Sequence, residues 1–568
     1  MVRQGHRKQK STAVRLSKGA AWGTRLVGLA LFVLLTTSCA FAGPEKIAND
    51  LQAVDPTSTV NVIVQFAHVP TDTDHQNVRN MGGALLRNLQ SIKAGLYSLS
   101  ASALPGLSND PNVVYISPDR QVKGSYDYAP ATVGANIAWQ FGLNGTGIGV
   151  AVIDSGITDH PDLHDPATGA SRVVYSESLI DSNTADLYGH GTHVAGIVAS
   201  NGASSKGAFP GMASNVRLIN LRVLDQSGSG TDGAIIAAIH RAIALRDTYN
   251  IRVINFSMGR PIFESYNLDP LCQAVEAAWK AGIVVVVAAG NNGRDNSYGN
   301  YGYRTITSPG NDPYVITVGA MKTADTPIVT DDTIASYSSK GPTLLDHIVK
   351  PDLVAPGNRL TSLRAPGSTL DLQYAGNRVT STGSLAPAYF ILSGTSMATP
   401  VVSGAVGLLL QNQPQLTPDQ VKARLMKTAS KTFPYSSSVT DPITLVTYTS
   451  YYDIFTVGAG YLNIGGALAN TDLATGSALS PTAVLDPTTG NATLSVDTSI
   501  WGSSVIWGTS VVWGTSAFVN GSSVIWGTSV VWGTSVVWGS SVVWGTSVVW
   551  GTTSQTSSEA VKVAVCGE

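Results

Sequence analysis

Short apolar runs alternate along the middle of the chain with longer stretches in which apolar positions return every three or four residues. The short runs, at residues 148–153, 216–224, 252–257, 283–288 and 315–318, predict β-strands. The longer ones, at 191–200, 232–245, 268–281, 397–410 and 418–429, predict helices. Because the strand runs are continuously apolar rather than alternating, both of their faces must be covered. The expectation over residues 130–470 is therefore an α/β domain, a mostly parallel sheet with helices on both faces. In such sheets, sites form where strands end and helices begin.

Two flanking regions are patterned differently. Residues 57–123 show strand-like runs at 60–66, 96–99 and 113–116 around a mixed stretch, which reads as a small α+β unit followed by an exposed joint at 123–130. After a Thr-, Pro- and Gly-rich linker at 471–499, the unit Ser-Val-Val-Trp-Gly-Thr recurs over 500–553, ahead of a tail at 554–568. Trp526, Trp532, Trp538, Trp544 and Trp550 repeat at an even spacing, so an extended chain puts Val, Trp and Thr on one face. A repetitive β array or self-associating surface tail is expected there, against low-complexity disorder of comparable weight.

The N-terminus adds an address. Arg3, Arg7, Lys8, Lys10, Arg15, Lys18 and Arg25 precede an apolar run at 26–35 and then Ala40, Phe41 and Ala42, so residues 1–42 read as an export signal. The product is expected outside the cell or at its surface, with no stable transmembrane span. A retained anchor competes, but the run is short for a spanning helix. Cys39 faintly resembles a lipid-attachment site, with Thr36 where an aliphatic residue is usual. Once the signal is gone, Cys272 and Cys566 leave one bridge at most, and the apolar helical setting of Cys272 favours a small buried hydrophobe.

Composition narrows the function. Charged residues are only 13% of the chain, against about a quarter in typical domains, and the formal net charge is -2. Without a basic stripe or a base-reading motif, nucleic-acid binding is set aside. Three segments instead place a reactive side chain beside small residues at a predicted strand or helix end: Asp154-Ser155-Gly156, Gly189-His190-Gly191-Thr192-His193, and Ser393-Gly394-Thr395-Ser396-Met397-Ala398. A serine hydroxyl is a weak nucleophile until an imidazole takes its proton, and the imidazole needs a carboxylate to fix its tautomer and stabilise its charge. Asp154, His190 and Ser396 supply those three groups. Singly, each is more often a helix cap or a structural residue; in order, together, they point to catalysis.

With Val287-Ala288-Ala289-Gly290-Asn291-Asn292-Gly293 between the second and third segments, residues 137–470 resemble the subtilisin-like serine peptidases. The resemblance implies the subtilisin-like fold and a secreted serine endopeptidase, with Asp154, His190 and Ser396 as triad and Asn291 as oxyanion-hole donor. It implies that protein or peptide substrates bind as an added strand along Ser229-Gly230 and Ser257-Met258-Gly259. Ala288, Ala289 and Gly290 would wall an open apolar pocket suited to medium or large apolar side chains. It further implies a self-processing precursor, in which residues 57–123 act as an intramolecular inhibitor and the cut falls near 123–127. No cofactor is required for catalysis, and calcium is implied as a structural ion, with Asp162 matching a ligand position of some relatives. The loop 201–207 lacks a convincing set of oxygen ligands.

Two other readings are set against this one. His193 lies three residues from His190, but a zinc motif needs another spacing, a general-base Glu and a further ligand, so His193 reads as structural. The rival function is a surface adhesion or self-association protein acting through the Trp-rich repeats with the peptidase domain as scaffold. A scaffold has no need to retain nucleophile, base, orienter and oxyanion donor together.

Overall fold

The computed structural model describes residues 46–52, 54–120, 128–297, 300–381, 384, 386–441, 444–485, 492–495, 512–513 and 516–517. The export signal, the processing joint at 123–127, and the repeats and tail other than 512–513 and 516–517 lie outside the described residues. The chain divides into two compact units at residues 124/125.

In the first unit, β1 (Thr59–Phe66), β2 (Ala84–Leu89), β3 (Ala94–Ser100) and β4 (Val113–Pro118) form an antiparallel sheet in the order 2-3-1-4. Helix α1 (Asp72–Asn80) joins β1 to β2, and a short helix, Leu104–Ser108, joins β3 to β4, giving a split β-α-β unit. Alternation in β1 turns Val62, Val64 and Phe66 into the core beside Val78, Tyr97 and Ile116. Thr71 starts α1 by donating its N–H and hydroxyl to Asp74 Oδ2, both at 2.7 Å. This helix and β2 occupy the stretch whose apolar pattern is mixed.

The second unit is built on an eight-stranded sheet ordered 11-10-9-8-5-7-6, with β12 also paired to β10. Its strands are β5 (Gly149–Asp154), β6 (Val173–Ser178), β7 (Arg217–Arg222), β8 (Ile251–Phe256), β9 (Val284–Ala288), β10 (Ile316–Lys322), β11 (Thr333–Ile334) and β12 (Leu353–Pro356). Every pairing is parallel except that of β10 with β11. All residues of β5 and β9 are buried, which requires cover on both faces. Two helix pairs supply it. Helix α2 (His190–Ala199) packs on α5 (Thr395–Asn412), which runs along β8, β9, β10 and β12; α3 (Asp232–Ala244) packs on α4 (Pro270–Lys280). Helix α6 (Pro418–Thr428) starts with Pro418 at its first position and a reciprocal Thr417–Gln420 cap. The mostly parallel α/β architecture expected from the apolar runs is the one observed; the part-exposed edge strand β6, Val-Val-Tyr-Ser-Glu-Ser, is too polar for that pattern to reveal.

The first part of the expected linker is fastened to this domain. Ser480 Oγ donates to Asp352 Oδ1 at 2.5 Å and accepts from Lys422 Nζ at 2.8 Å, while Lys350 Nζ pairs with Asp352 Oδ2 at 2.7 Å. Asp352, Lys350 and Lys422 are fully buried, so the excess positive charge depends on these oxygens and on the carbonyls of Pro313, Tyr314 and Val315. Val349 N–H donates to Pro481 C=O, and Ala483 N–H to His347 C=O. Each buried partner left unmet costs about 1–3 kcal/mol. A chain ending at Asn470, and the full chain carrying Ser480→Ala, are therefore expected to melt below a chain ending at Leu485 in scanning calorimetry; equal melting of all three would remove Ser480 from the domain's support.

Candidate active site

Asp154 is the last residue of β5, the strand about which the sheet order reverses, and is fully buried. His190 is the first residue of α2, behind Gly189, whose φ of 106° favours glycine. Ser396 is the second residue of α5, behind Gly394 with φ 142°. The parallel register pairs Ile153 with Phe256, so the next residues, Asp154 and Ser257, stand side by side at the carboxyl ends of β5 and β8. Ser396 Oγ donates to Ser257 C=O at 2.9 Å, which brings the third residue to the same place.

His190 Nδ1 lies 2.8 Å from Asp154 Oδ1, and that oxygen also accepts Ser155 N–H at 2.7 Å. Burial disfavours a charged imidazole, but the charge and hydrogen bond of Asp154, with the charge of Asp186, outweigh it, so the His190 pKa is raised. Among the described residues no hydrogen bond joins His190 to Ser396; the hydroxyl rests on Ser257. Beneath it runs a buried polar chain. Ser403 Oγ donates to Asn255 Oδ1 at 2.8 Å, Asn255 Nδ2 to Ser257 Oγ at 2.9 Å, and Ser257 Oγ to Ser396 C=O at 2.8 Å.

Asn291 follows the extension of β9. Its Oδ1 accepts both the N–H and the hydroxyl of Thr395, at 2.9 and 3.0 Å, which fixes the amide so that Nδ2 is the free donor end. A Cβ added at Gly394 would come within 3.2 Å of Nδ2, so the amide faces the turn that delivers Ser396. Ser396 N–H belongs to the first turn of α5, where an α-helix leaves its N–H groups without intrahelical acceptors.

A family model for subtilases matches residues 145–512. The chain is 38% identical to "Serine protease AprX" of Bacillus subtilis over 391 residues, covering 66% of this chain and 83% of that protein. It is 34% identical to "Subtilisin E" of the same organism over 357 residues, covering 62% and 80%. A third relative, "Alkaline protease" of Alkalihalobacillus alcalophilus, is 33% identical over 349 residues, covering 61% and 76%. The chain belongs to the subtilase family. It is a serine-type endopeptidase, and subtilase catalysis needs no cofactor.

The segments expected to hold substrate flank this subtilase site. Ser229 and Gly230 sit in a turn after β7, where Ser229 N–H donates to Asp225 Oδ1 at 3.0 Å. Ser257, Met258 and Gly259 leave β8 and are anchored by Arg260, which bridges Asp232 and Asp269. Ala288, at the end of β9, leads to Gly290, with φ 107°. Thr307 stands close to the backbone of both Gly259 and Gly290. A Cβ at Gly259 would meet Thr307 Oγ1 at 2.4 Å, and one at Gly290 would meet Ser339 Oγ at 2.8 Å and Thr307 Cγ2 at 2.9 Å, so the Thr307 side chain lies against both glycines. No local pattern marks Thr307.

Asp162, the residue matched to a calcium ligand, is occupied by hydrogen-bond donors. Its carboxylate accepts the hydroxyls of Tyr389 and Ser200, at 2.5 and 3.1 Å, and Ser204 N–H at 2.7 Å, all hydrogen-bearing groups that a cation would have to displace. Among the described residues no three His, Cys, Asp or Glu side chains gather around a metal position. The buried carboxylate ties α2 to the strand Tyr389–Leu392. His193 is buried with Nε2 on the carbonyls of Leu360 and Phe390, and burial brings its pKa down to about 3. Cys272 is a buried thiol. Among the described residues no helix is long and apolar enough to cross a membrane.

Histidine NMR is expected to place the His190 pKa above the ordinary value of about 6.5, with Asp154→Asn bringing it down. A raised folded-state pKa means that the pair's stabilisation is full below the unfolded value and is lost as pH rises through the folded one. Asp154→Asn should therefore destabilise more at mildly acid than at alkaline pH; an unmoved His190 titration would contradict the pairing.

Proposed function

We propose that Ser396 is the nucleophile, His190 the general base and Asp154 the group that orients it, in a secreted endopeptidase that matures itself. The observation that carries this reading is the buried His190–Asp154 hydrogen bond at a strand end beside Ser257, whose carbonyl receives the Ser396 hydroxyl. On substrate binding the hydroxyl leaves that carbonyl for His190 Nε2, gives up its proton and attacks the scissile carbonyl carbon. The oxyanion is met by Asn291 Nδ2 and Ser396 N–H, and losing such a side-chain donor typically costs about 3 kcal/mol in the transition state. His190 then protonates the leaving amine, and water, activated by the same imidazole, releases the acyl group.

Peptide substrates are read as a strand laid between Ser229-Gly230 and Ser257-Met258-Gly259, with the side chain before the cut entering between Gly259 and Gly290. Thr307 in that space favours medium over large apolar side chains. Thr307→Gly is expected to raise kcat/KM for Phe relative to Ala at that position by about tenfold, since a methylene in a pocket is worth about 1–3 kcal/mol. An unchanged ratio on a matched peptide pair would place the pocket elsewhere.

Residues 1–42 direct export, residues 57–123 inhibit until cut away near 123–127, and the repeats serve an accessory surface role. The split β-α-β unit, compact by itself, supports the inhibitor reading. The deciding experiment compares the N-terminal mass of the secreted product from wild type and Ser396→Ala. Loss of residues up to 123–127 in wild type alone is the expected outcome; equal processing of both assigns the cut to another protease, and no processing of either rejects the precursor reading.

A further inference from the structure

The site holds a second carboxylate outside the expected triad. Asp186 is almost fully buried, and its Oδ1 accepts Ser155 Oγ–H at 2.8 Å, Gly189 N–H at 2.6 Å and Tyr188 N–H at 3.2 Å. Its Oδ2 accepts Thr192 N–H at 2.8 Å. Tyr188 and Gly189 lead into α2, Thr192 lies in its first turn, and Ser155 directly follows Asp154. The loop closes because Ser155 Oγ in turn accepts Gly191 N–H at 2.9 Å. One buried carboxylate thus gathers the N–H groups around His190 and fastens them to the strand end that carries Asp154.

We propose that Asp186 is a positioning residue for the catalytic base, holding the first turn of α2 against Ser155 so that His190 stays over Asp154 Oδ1. This rests on His190 acting as the base. The arrangement also governs a competition for one proton. Ser155 Oγ is 3.2 Å from Asp154 Oδ1 and 2.8 Å from Asp186 Oδ1, and its single hydrogen serves one of them. While Asp186 is ionised it takes that hydrogen, leaving Asp154 Oδ1 to Ser155 N–H and His190. An uncharged amide at 186 is a weaker acceptor than the carboxylate, which shifts the hydroxyl toward Asp154, where it weakens the hold on His190. The tight fit leaves little slack, since a Cβ at Gly191 would lie 2.2 Å from Gly156 C=O.

The ionisable groups facing His190 are Asp154 and Asp186, with Tyr188 beside it, ring centroids 6.4 Å apart, and His193 on its own helix. Burial keeps His193 neutral and pushes the Tyr188 phenol up; it also raises the Asp186 carboxyl, opposed by its N–H and hydroxyl donors, so Asp186 acts on the imidazole beside Asp154 as far as those donors keep it ionised.

The test expresses the whole chain as wild type, Asp186→Asn, Ser155→Ala and Ser396→Ala, brings all four to the same N-terminus with one added protease, and reads kcat, KM, the acid limb of the kcat/KM profile and the melting curve, with Ser396→Ala as control. Asp186→Asn is expected to lower kcat at least tenfold with KM within about twofold, and to move the acid limb to lower pH because His190 becomes a weaker base. Ser155→Ala, which keeps both carboxylates, should lower kcat through the lost link. Folded variants with wild-type kcat and an unmoved acid limb overturn the proposal. If Asp186→Asn does not fold, Ser155→Ala decides alone, and unchanged kcat there overturns it. Activity surviving in Ser396→Ala would instead overturn the assignment of the triad on which the proposal rests.

Discussion

A carboxylate at the end of a strand buried on both faces needs donors, and the peptidase domain brings them to one oxygen of Asp154, Oδ1, while Oδ2 is buried without a hydrogen-bond partner. An unpaired ion in that position costs several kcal/mol, so the strand end calls for an oriented imidazole and a backbone N–H. Those donors arrive only if α2 begins within contact of β5, which in turn demands glycine at 189 and 191. The same close approach gives Asp186 its set of N–H partners. Burial that threatens stability thereby becomes the source of a firmly oriented imidazole.

Ser396 is placed by a different device. Helix α5 is apolar on nearly every side and sinks beneath the sheet, so its first turn is carried to the carboxyl ends of β8 and β9 by core packing rather than by polar contacts. Fine adjustment comes from polar groups inside that core: Ser403, Asn255 and Ser257 form a continuous line to the Ser396 backbone, and Thr395 pins the Asn291 amide. Every member of this line is satisfied, which is the condition under which buried polar groups stiffen a site instead of weakening it.

A chain with few charges spends several of them as internal ties. Asp352, Lys350 and Lys422 join β12, α6 and the segment around Ser480, while Asp162 joins α2 to the strand Tyr389–Leu392. These ties bind segments far apart in sequence, while the segments Ser229-Gly230 and Ser257-Met258-Gly259 consist of glycines and mostly short side chains. The catalytic domain accordingly reaches past Asn470, into a stretch whose Thr, Pro and Gly content resembles a linker.

What the sequence by itself determined is local. Continuous apolar runs specified the parallel, two-sided sheet, helical spacing located α2 to α6 within a few residues, and the segments around Asp154, His190, Asn291 and Ser396 stood out because each packs a polar side chain and glycines into a few neighbouring positions. What only the tertiary structure decided is which distant residues meet. Thr307 between two glycines, Asp186 against Ser155, Ser480 over a buried lysine, and Asp162 committed to Tyr389 all depend on close approach between segments widely separated along the chain. Such contacts are made by packing, not by periodicity, and a side chain's neighbours across a core leave no trace in the spacing of the residues beside it.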